Sequence, residues 1–401
     1  MNHFRANLWL LALTVLICAV LYPLVLWGIG QTVFHDQAQG SLIKDEKDNP
    51  IGSRLIAQEF KGDEYFQPRP SAASYNGAAS GASNLGANNY QLRDRVAKQL
   101  GPIVRYGKGA EKDGKKPGEL VGPDIEKWFQ QDRYQNQSGL VAQWAAMHSG
   151  AAEQWIKDID DELKKSKYEP RDHKPGQPFL GQVWFDDLEL YEALPPALTN
   201  MEAPSTADIA KAFFPVFSKR YPGDWMTVKD APTKGHLKGK KLERVKVSPD
   251  IQSVFFDMWR QDHPNVSLEE VPADMVTASA SGLDPHITLK NAQYQLRYRI
   301  KQAQAKKIIR DQAKLEAINL DQDFDKLDEN QVKALDVKAR KVIEGRLGKH
   351  LEDRLDEVIG ELLTKSTSAP LGGLAGVPLI NVLEINVAMN KRLKQLVETS
   401  K

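Results

Sequence analysis

Twenty-two consecutive residues, Leu8 to Ile29 (LWLLALTVLICAVLYPLVLWGI), carry no charged side chain, and nothing else in the chain limits its fold as tightly. As a helix this run rises about 33 Å at 1.5 Å per residue, the thickness of a bilayer's hydrocarbon core. Inside lipid each backbone N–H and C=O must be paired within the segment, which leaves helix as the conformation. Trp9 lies near one end, with Tyr22 and Trp27 toward the other, where amphipathic rings favour the interface. Pro23 is tolerated near the end of a span, where neighbours or water satisfy the carbonyl it frees. The run reads as a retained anchor. The competing reading is a cleaved leader, with Arg5 as the charged start and Ala38-Gln39-Gly40 as a small-residue cleavage site. The apolar core exceeds the roughly 7–15 residues of such leaders. Arg5 and the amino terminus before the span, against Lys44 and Lys47 after it, do not decide the orientation.

The remaining chain, out of 401 residues, is long enough for two or three core-forming units. With 27% charged residues and a net charge of +1, there is no global attraction for nucleic acid. The most basic run, Lys234 to Lys246, has acidic residues close by and reads as a solvated loop. The single cysteine, Cys18, lies in the apolar run, so neither an intramolecular disulfide nor a thiolate zinc site can form. No two of the eight histidines stand at helical ligand spacing, so no metal site is expected. Gly109 to Lys116 (GAEKDGKK) has phosphate-loop spacing, but Lys116 stands where a Ser or Thr must reach magnesium. Pro117 and Gly118 would also break the helix that has to follow, so the match is chance.

Periodicity gives an α+β expectation: one transmembrane helix and a mixed α/β soluble region, mostly helical. Ser53 to Phe60 reads as a short strand. The later part of residues 50–90, rich in Gly, Ala, Ser and Asn, reads as loop, with Gly77, Gly81 and Gly86 free to take positive φ. Six of eight tryptophans fall in 102–270, where helical patterns run near 124–134, 138–166, 206–219 and 249–261. Ser205 or Thr206, and Ser248 before Pro249, read as helix caps. Residues 291–365 are charged and helical, with Asp328 and Gln331 forming a capping box. Leu347, Leu351, Leu355, Val358 and Leu362 make one apolar stripe, read as an antiparallel hairpin of helices in preference to a docking surface for a partner. Pro378 to Ala388 reads as a buried strand entering a final helix that includes Met389 to Val397.

The sharpest polar cluster is Thr277 to His286, TASASGLDPH. One reading makes Ser279 or Ser281 a nucleophile, Asp284 its orienter and His286 a base, in a membrane-tethered hydrolase. Residues so close in sequence seldom converge, and the favoured reading is a structured turn, with Gly282 flexible and Asp284-Pro285 opening a helix.

Several ordered motifs resemble one family: Leu21-Tyr22-Pro23-Leu24, Gln37-Ala38-Gln39-Gly40-Ser41-Leu42, Gly52 to Gln58, Tyr65 to Ala72, Ser80 to Gly86, Val276 to Ile287 and Asn381 to Asn386. They are similar to the C subunit of the bacterial Kdp potassium-transporting ATPase. The resemblance implies a division into residues 1–7 in the cytoplasm, a span at 8–29, and a discontinuous extracytoplasmic domain at 30–101 and 271–401. That domain would be enlarged by a Trp-rich helical insertion at 102–270 and a charged one at 303–368. A docking module is an alternative role for the first insertion. The implied function is that of a non-catalytic inner-membrane subunit that assembles and stabilises the complex and, as a catalytic chaperone, raises ATP affinity. ATP would be bound by the pump subunit KdpB, direct contact being opposed by the topology, and potassium is the transported ion. Implied partners are KdpB, the potassium-selective KdpA, a small KdpF-like peptide and membrane lipid, with no nucleic acid. The resemblance likens Ser279, Ser281, Gly282, Leu283, Asp284, Pro285 and His286, with Gln295, to a nucleotide signature. It assigns Leu21, Tyr22, Pro23 and Leu24 to partner packing, and Arg69, Pro70, Ser71, Asn76, Ser83, Asn84, Asn381 and Asn386 to a family-motif surface.

Overall fold

The apolar amino-terminal run folds as expected from its composition. In the computed structural model it forms helix α1 (Asn2–Val15), a π-helical turn (Leu16–Leu21) and helix α2 (Tyr22–Val33). His3–Val33 spans 31 residues, is long and apolar enough to cross a membrane, and buries none of its most apolar stretch. The helix therefore continues beyond Ile29, through Val33. Pro23 explains the π turn. Its ring cannot pack over the carbonyl four residues back, and Tyr22 N–H instead bonds Ile17 O, five residues back.

The structure describes residues 2–45, 47–131, 140–152, 223–225, 244–245, 249–320, 323–369 and 376–399. The helix expected at 206–219, its cap at Ser205 or Thr206, Ser248, most of the basic run and the end of 138–166 lie outside those residues. The chain divides into two compact units, Met1–Leu85 with Val271–Lys401, and Gly86–Glu270.

After α2 comes the short helix α3 (His35–Ala38), then an antiparallel hairpin of β1 (Leu42–Lys44) and β2 (Pro50–Ser53). The strand expected from Ser53 to Phe60 is displaced: the ladder ends at Ser53. There the Ser53 hydroxyl takes the Leu55 N–H (3.1 Å) and donates to Gly40 O (2.7 Å), turning the chain out of register.

In the second unit lie α4 (Tyr90–Leu100), α5 (Gly122–Gln130), α6 (Leu140–Met147), the strand pair β3 (Gly223–Trp225) and β4 (Arg244–Val245), and α7 (Pro249–Asp262). Its core is Ile125, Phe129, Trp144, Ile251, Phe255 and Trp259, with Phe129 and Phe255 rings 4.6 Å apart. Ala97 and Leu100 pack on this core. Residues 86–101, expected in the discontinuous domain, thus fold with the tryptophan-rich segment, because the apolar face of α4 is buried there. The Gly109 to Lys116 string is a 3-10 turn flanked by glycines at φ +101° and +72°, with Lys115 bonded to Asp124 rather than reaching outward.

The first unit resumes with β5 (His286–Thr288) and α8 (Leu289–Gln295), a second π turn (Leu296–Ile300), and α9 (Lys301–Asn319). Helices α10 (Glu329–Leu347) and α11 (Leu351–Ser366) follow, then β6 (Leu379–Asn381) and α12 (Val382–Thr399). The capping box of Asp328 and Gln331 is present. The apolar stripe is broken at Gly348 (φ +68°), which ends α10 and starts the return of a helical hairpin. Leu351, Leu355 and Val358 are buried, and Leu363 carries the buried face on in place of Leu362. Strands β5 and β6 pair antiparallel, His286 opposite Asn381 and Thr288 opposite Leu379. Each strand leads directly into a helix: Thr288 Oγ1 caps α8 through Asn291 N–H (3.1 Å), and Asn381 Oδ1 caps α12 through Leu383 N–H (3.1 Å). The helix expected to open at Asp284-Pro285 starts at Leu289 instead, because His286–Thr288 is used as strand.

Candidate functional site

Two polar arrangements in the first unit gather nearly all the motif residues. The deeper one holds the segment Glu64-Tyr65-Phe66-Gln67, where a turn and bend lead into irregular chain. Pro68 and Pro70 follow it, and each lacks the N–H a ladder would use. Side chains take the place of a neighbouring strand. Gln304 Nε2 donates to Glu64 O (2.9 Å), and Arg299 Nη2 donates to Tyr65 O (2.9 Å). Asn386 Oδ1 accepts from Phe66 N–H (2.8 Å) while its Nδ2 donates to Phe66 O (2.9 Å). Gln295 repeats the pattern on Gln67, accepting its N–H at 2.8 Å and donating to its carbonyl at 3.0 Å. Gln295 also donates to Asn291 Oδ1 (2.7 Å) and accepts from Arg299 Nη2 (2.5 Å). Both amides are buried, Gln295 at 4% exposure and Asn386 at 1%.

The second π turn sets this register. Asn291, Gln295 and Arg299 follow at steps of four, but Gln304 comes five residues after Arg299. In the π turn Lys301 N–H bonds Leu296 O, five residues back, inserting one residue and returning Gln304 to the same row. Burial lowers the affinity of Arg299 for its proton, a push partly offset by the negative charge of Asp63.

The shallower arrangement is a pair of loops, 69–86 and 277–286. Gly282 has φ +69°, and a Cβ there would lie 2.7 Å from Gly81 O and 3.0 Å from Ala73 Cβ, so only glycine fits. Ser71 Oγ donates to Gly282 O (2.6 Å) and accepts from Ala73 N–H (3.1 Å) and Tyr75 N–H (3.0 Å). Gly81 N–H and Ser80 Oγ both donate to Ser281 O, at 2.9 and 3.0 Å. Ser74, Tyr75 and Asn84 sit at φ +49°, +54° and +52°, strain the surrounding bonds must hold.

At the rim of these loops stand Arg69, Asp284 and His286, each partly exposed. Asp284 Oδ1 accepts from both the backbone N–H (3.0 Å) and Nδ1 (3.1 Å) of His286. Arg69 Nη1 lies 4.0 Å from Asp284 Oδ2, and its Nη2 donates to Ala278 O (3.2 Å). The hydrogen bond from His286 holds the Asp284 carboxyl below its usual range, against burial, and the same bond raises the imidazole of His286, helped by Asp284 and Glu384. Arg54 ties Glu384 (3.0 Å) to Asp36 of α3 (3.4 Å).

The catalytic reading of this cluster does not match the geometry. Ser281 Oγ accepts from Leu283 N–H (3.1 Å), and Ser279, 4% exposed, faces Asp284 N–H (3.5 Å). Neither hydroxyl bonds His286, whose Nδ1 is committed to Asp284. Among the described residues, no group of three His, Cys, Asp or Glu is placed to hold a metal ion. Of the residues assigned to a family-motif surface, Asn381 and Asn386 are interior, at 8% and 1% exposure. The reason is their use as backbone partners, Asn381 capping α12 and donating to Arg54 O (2.8 Å). Asn76 and Asn84 are exposed, while Arg69, Pro70, Ser71 and Ser83 are half-buried. Leu283, Pro285 and Gln295 are buried as well, so the signature-like segment presents chiefly Ser281, Asp284 and His286. Leu21, Tyr22, Pro23 and Leu24 stand exposed on the apolar helix. Asn291, Arg299 and Gln304 escaped the sequence reading, although polar residues recurring on one face of a charged helix were the available signal.

Comparison with known proteins accounts for this pattern. The family model "KdpC: K+-transporting ATPase, c chain" matches residues 4–123 and 240–337, more than half of the chain. The potassium-transporting ATPase KdpC subunit of Pseudomonas putida (strain W619) is 44% identical over 108 residues, 27% of this chain and 59% of the relative. That of Pseudomonas entomophila (strain L48) is 49% identical over 94 residues, 23% of this chain and 50% of the relative. The KdpC subunit of Parvibaculum lavamentivorans is 41% identical over 111 residues, 28% of this chain and 58% of the relative. The aligned stretch thus spans between half and three-fifths of these relatives, and the chain is much longer than they are. The family match takes in parts of both segments expected as insertions, running on through residue 123 and from 240 to 337. On this match, and on the motif residues that build the two polar arrangements, the chain belongs to the KdpC family, the c-chain family of K+-transporting ATPases.

Proposed function

We propose that this chain is an accessory subunit of an ATP-driven potassium transporter, anchored in the bacterial inner membrane by α1 and α2 and acting through packing on partner subunits. The observation that carries the reading is the employment of the motif side chains. Gln295, Asn386, Asn381 and Ser71 use their polar atoms to hold the chain itself, so the motif specifies a rigid surface rather than a reaction centre. In this reading the amino terminus is cytoplasmic and the folded domain extracytoplasmic. The apolar helix, exposed along its length, packs against helices of the potassium-selective and pump subunits.

An effect on ATP then needs no contact with nucleotide. A subunit that binds one pump conformation more tightly shifts the ATP affinity by that difference, about 1.4 kcal/mol for each tenfold change. Gln295, sealed between Gln67, Asn291 and Arg299, acts as a strut in this scheme. The residues beyond the length of ordinary relatives, largely in the Gly86–Glu270 unit, form an added module with its own core.

Purification of the tagged full chain in mild detergent tests the assignment. A P-type ATPase and a multi-span potassium subunit are expected to co-purify, and recovery of neither would defeat it. Measuring the complex's apparent affinity for ATP with and without this chain tests the chaperone role; an unchanged affinity would remove that part alone. Tight ATP binding by the purified chain would replace linkage with direct contact.

A further inference from the structure

Asn76-Gly77 is the one Asn-Gly pair in the sequence. It lies at the tip of the 69–86 loop, with both residues exposed. The loop's hydrogen bonds leave the Gly77 N–H out while fixing its neighbours. Asn76 N–H bonds Ala73 O (3.0 Å), and Ala79 N–H bonds Asn76 O (3.0 Å). Ala78 N–H donates to the side-chain oxygen of Asn76 (3.0 Å), which folds the amide back over the peptide that follows it. A Cβ at Gly77 would meet nothing nearer than Ile56 Cδ1 at 4.0 Å, so the space beside its Cα is open. Just before Asn76, Ser74 and Tyr75 hold left-handed φ values of +49° and +54°.

We propose that Asn76 is a site of self-modification through a cyclic imide. The Gly77 nitrogen, having lost its proton to hydroxide, forms a bond to the side-chain amide carbon of Asn76. The bond from that carbon to nitrogen breaks, and ammonia leaves after taking a proton from water. One molecule of water then opens the ring at either carbonyl, giving aspartate or isoaspartate. The Ala78 N–H is placed to stabilise the charge that develops on the side-chain oxygen during attack. The absence of a Cβ at Gly77 removes the steric barrier that other residues would raise. Isoaspartate routes the main chain through the side-chain carbon and lengthens it. It also adds a negative charge, and it disrupts the Ala79 N–H to Asn76 O turn that shapes this loop.

Incubation of the full chain in detergent at neutral and mildly alkaline pH, followed by peptide mass mapping, tests the proposal. Conversion is expected at Asn76, with isoaspartate and aspartate both formed and the rate rising with hydroxide. Asn84, followed by Leu85, should stay an amide over the same period. Gly77→Ala should slow conversion by roughly tenfold or more, since its methyl restricts the backbone. An Asn76 amide that persists in the folded chain while the urea-unfolded chain converts would overturn the proposal. So would aspartate formed without isoaspartate, or a Gly77→Ala chain that converts as fast as the parent.

Discussion

Asn386 shows how much one side chain carries here. Replacing it by Ala strands the N–H and C=O of Phe66, itself fully buried, and each unpaired group costs about 1–3 kcal/mol. Asn386→Ala is therefore expected to lower the stability of the folded unit by about 2–6 kcal/mol, read from the urea midpoint, without altering the helical spectrum of the native state. A loss under about 0.5 kcal/mol would show that water replaces the amide. Gly282→Ala combines left-handed strain of about 1–2 kcal/mol with a clash on Gly81 O, and it should loosen the loop pair to limited proteolysis. His286 and Asp284 titrate in opposite senses. His286, raised above its ordinary 6.5, contributes fully below that value and loses its contribution as pH climbs through the raised folded value. Asp284, lowered from 3.8, contributes above that value and loses its contribution as pH falls through the depressed one. The pair is strongest between these two limits, in mildly acidic solution. Protection of residues 277–286 in hydrogen exchange should decline from pH 6 toward pH 8, and His286→Asn should flatten that profile. Both groups are partly exposed, so solvent screens the effect.

Helices respond to their ends and their buried stripe. The capping box of α10 joins Asp328 Oδ1 to Gln331 N–H (2.9 Å) and Gln331 Oε1 to Asp328 N–H (3.0 Å). Asp328→Ala should cost about 1 kcal/mol and fray the first turn of α10, which exchange at Asn330 and Gln331 would report. Leu355 is fully buried in the hairpin of α10 and α11, and Leu355→Ala should cost about 2–5 kcal/mol. The ratio of the two losses separates a helix stabilised by packing from one stabilised locally. The two π turns act at this scale as well. One follows from Pro23 in the apolar helix, the other from the need to bring Gln304 into line with Gln295.

For the whole molecule, the division at Leu85 and Val271 predicts separability. A chain in which Gly86–Glu270 is replaced by a short Gly-Ser linker should keep the clamp on Phe66 and the helical hairpin, and should unfold in one cooperative transition. Loss of that transition would mean the two units stabilise each other. Co-purification of the shortened chain with transporter subunits would assign the added unit a role outside assembly.

The charge-free run from Leu8 to Ile29, the capping box at Asp328 and the β-branched opening at Pro378 were legible in the amino-acid order, because each depends on neighbours within a few residues. The family motifs were legible for the same reason. Which motif residues face solvent was not. Asn386 lies 320 residues from Phe66, and Gln295 lies 228 from Gln67, so no local pattern marks them as backbone partners rather than surface groups. Ser281, Asp284 and His286 looked like a set along the sequence, but the chain turns at Gly282, leaving Asp284 and His286 bonded to each other and Ser281 bonded to Leu283 N–H. Composition and periodicity determine helix, apolar run and turn. Only tertiary packing decides which polar groups remain free, since a buried backbone segment without a strand beside it takes whatever side chains reach it.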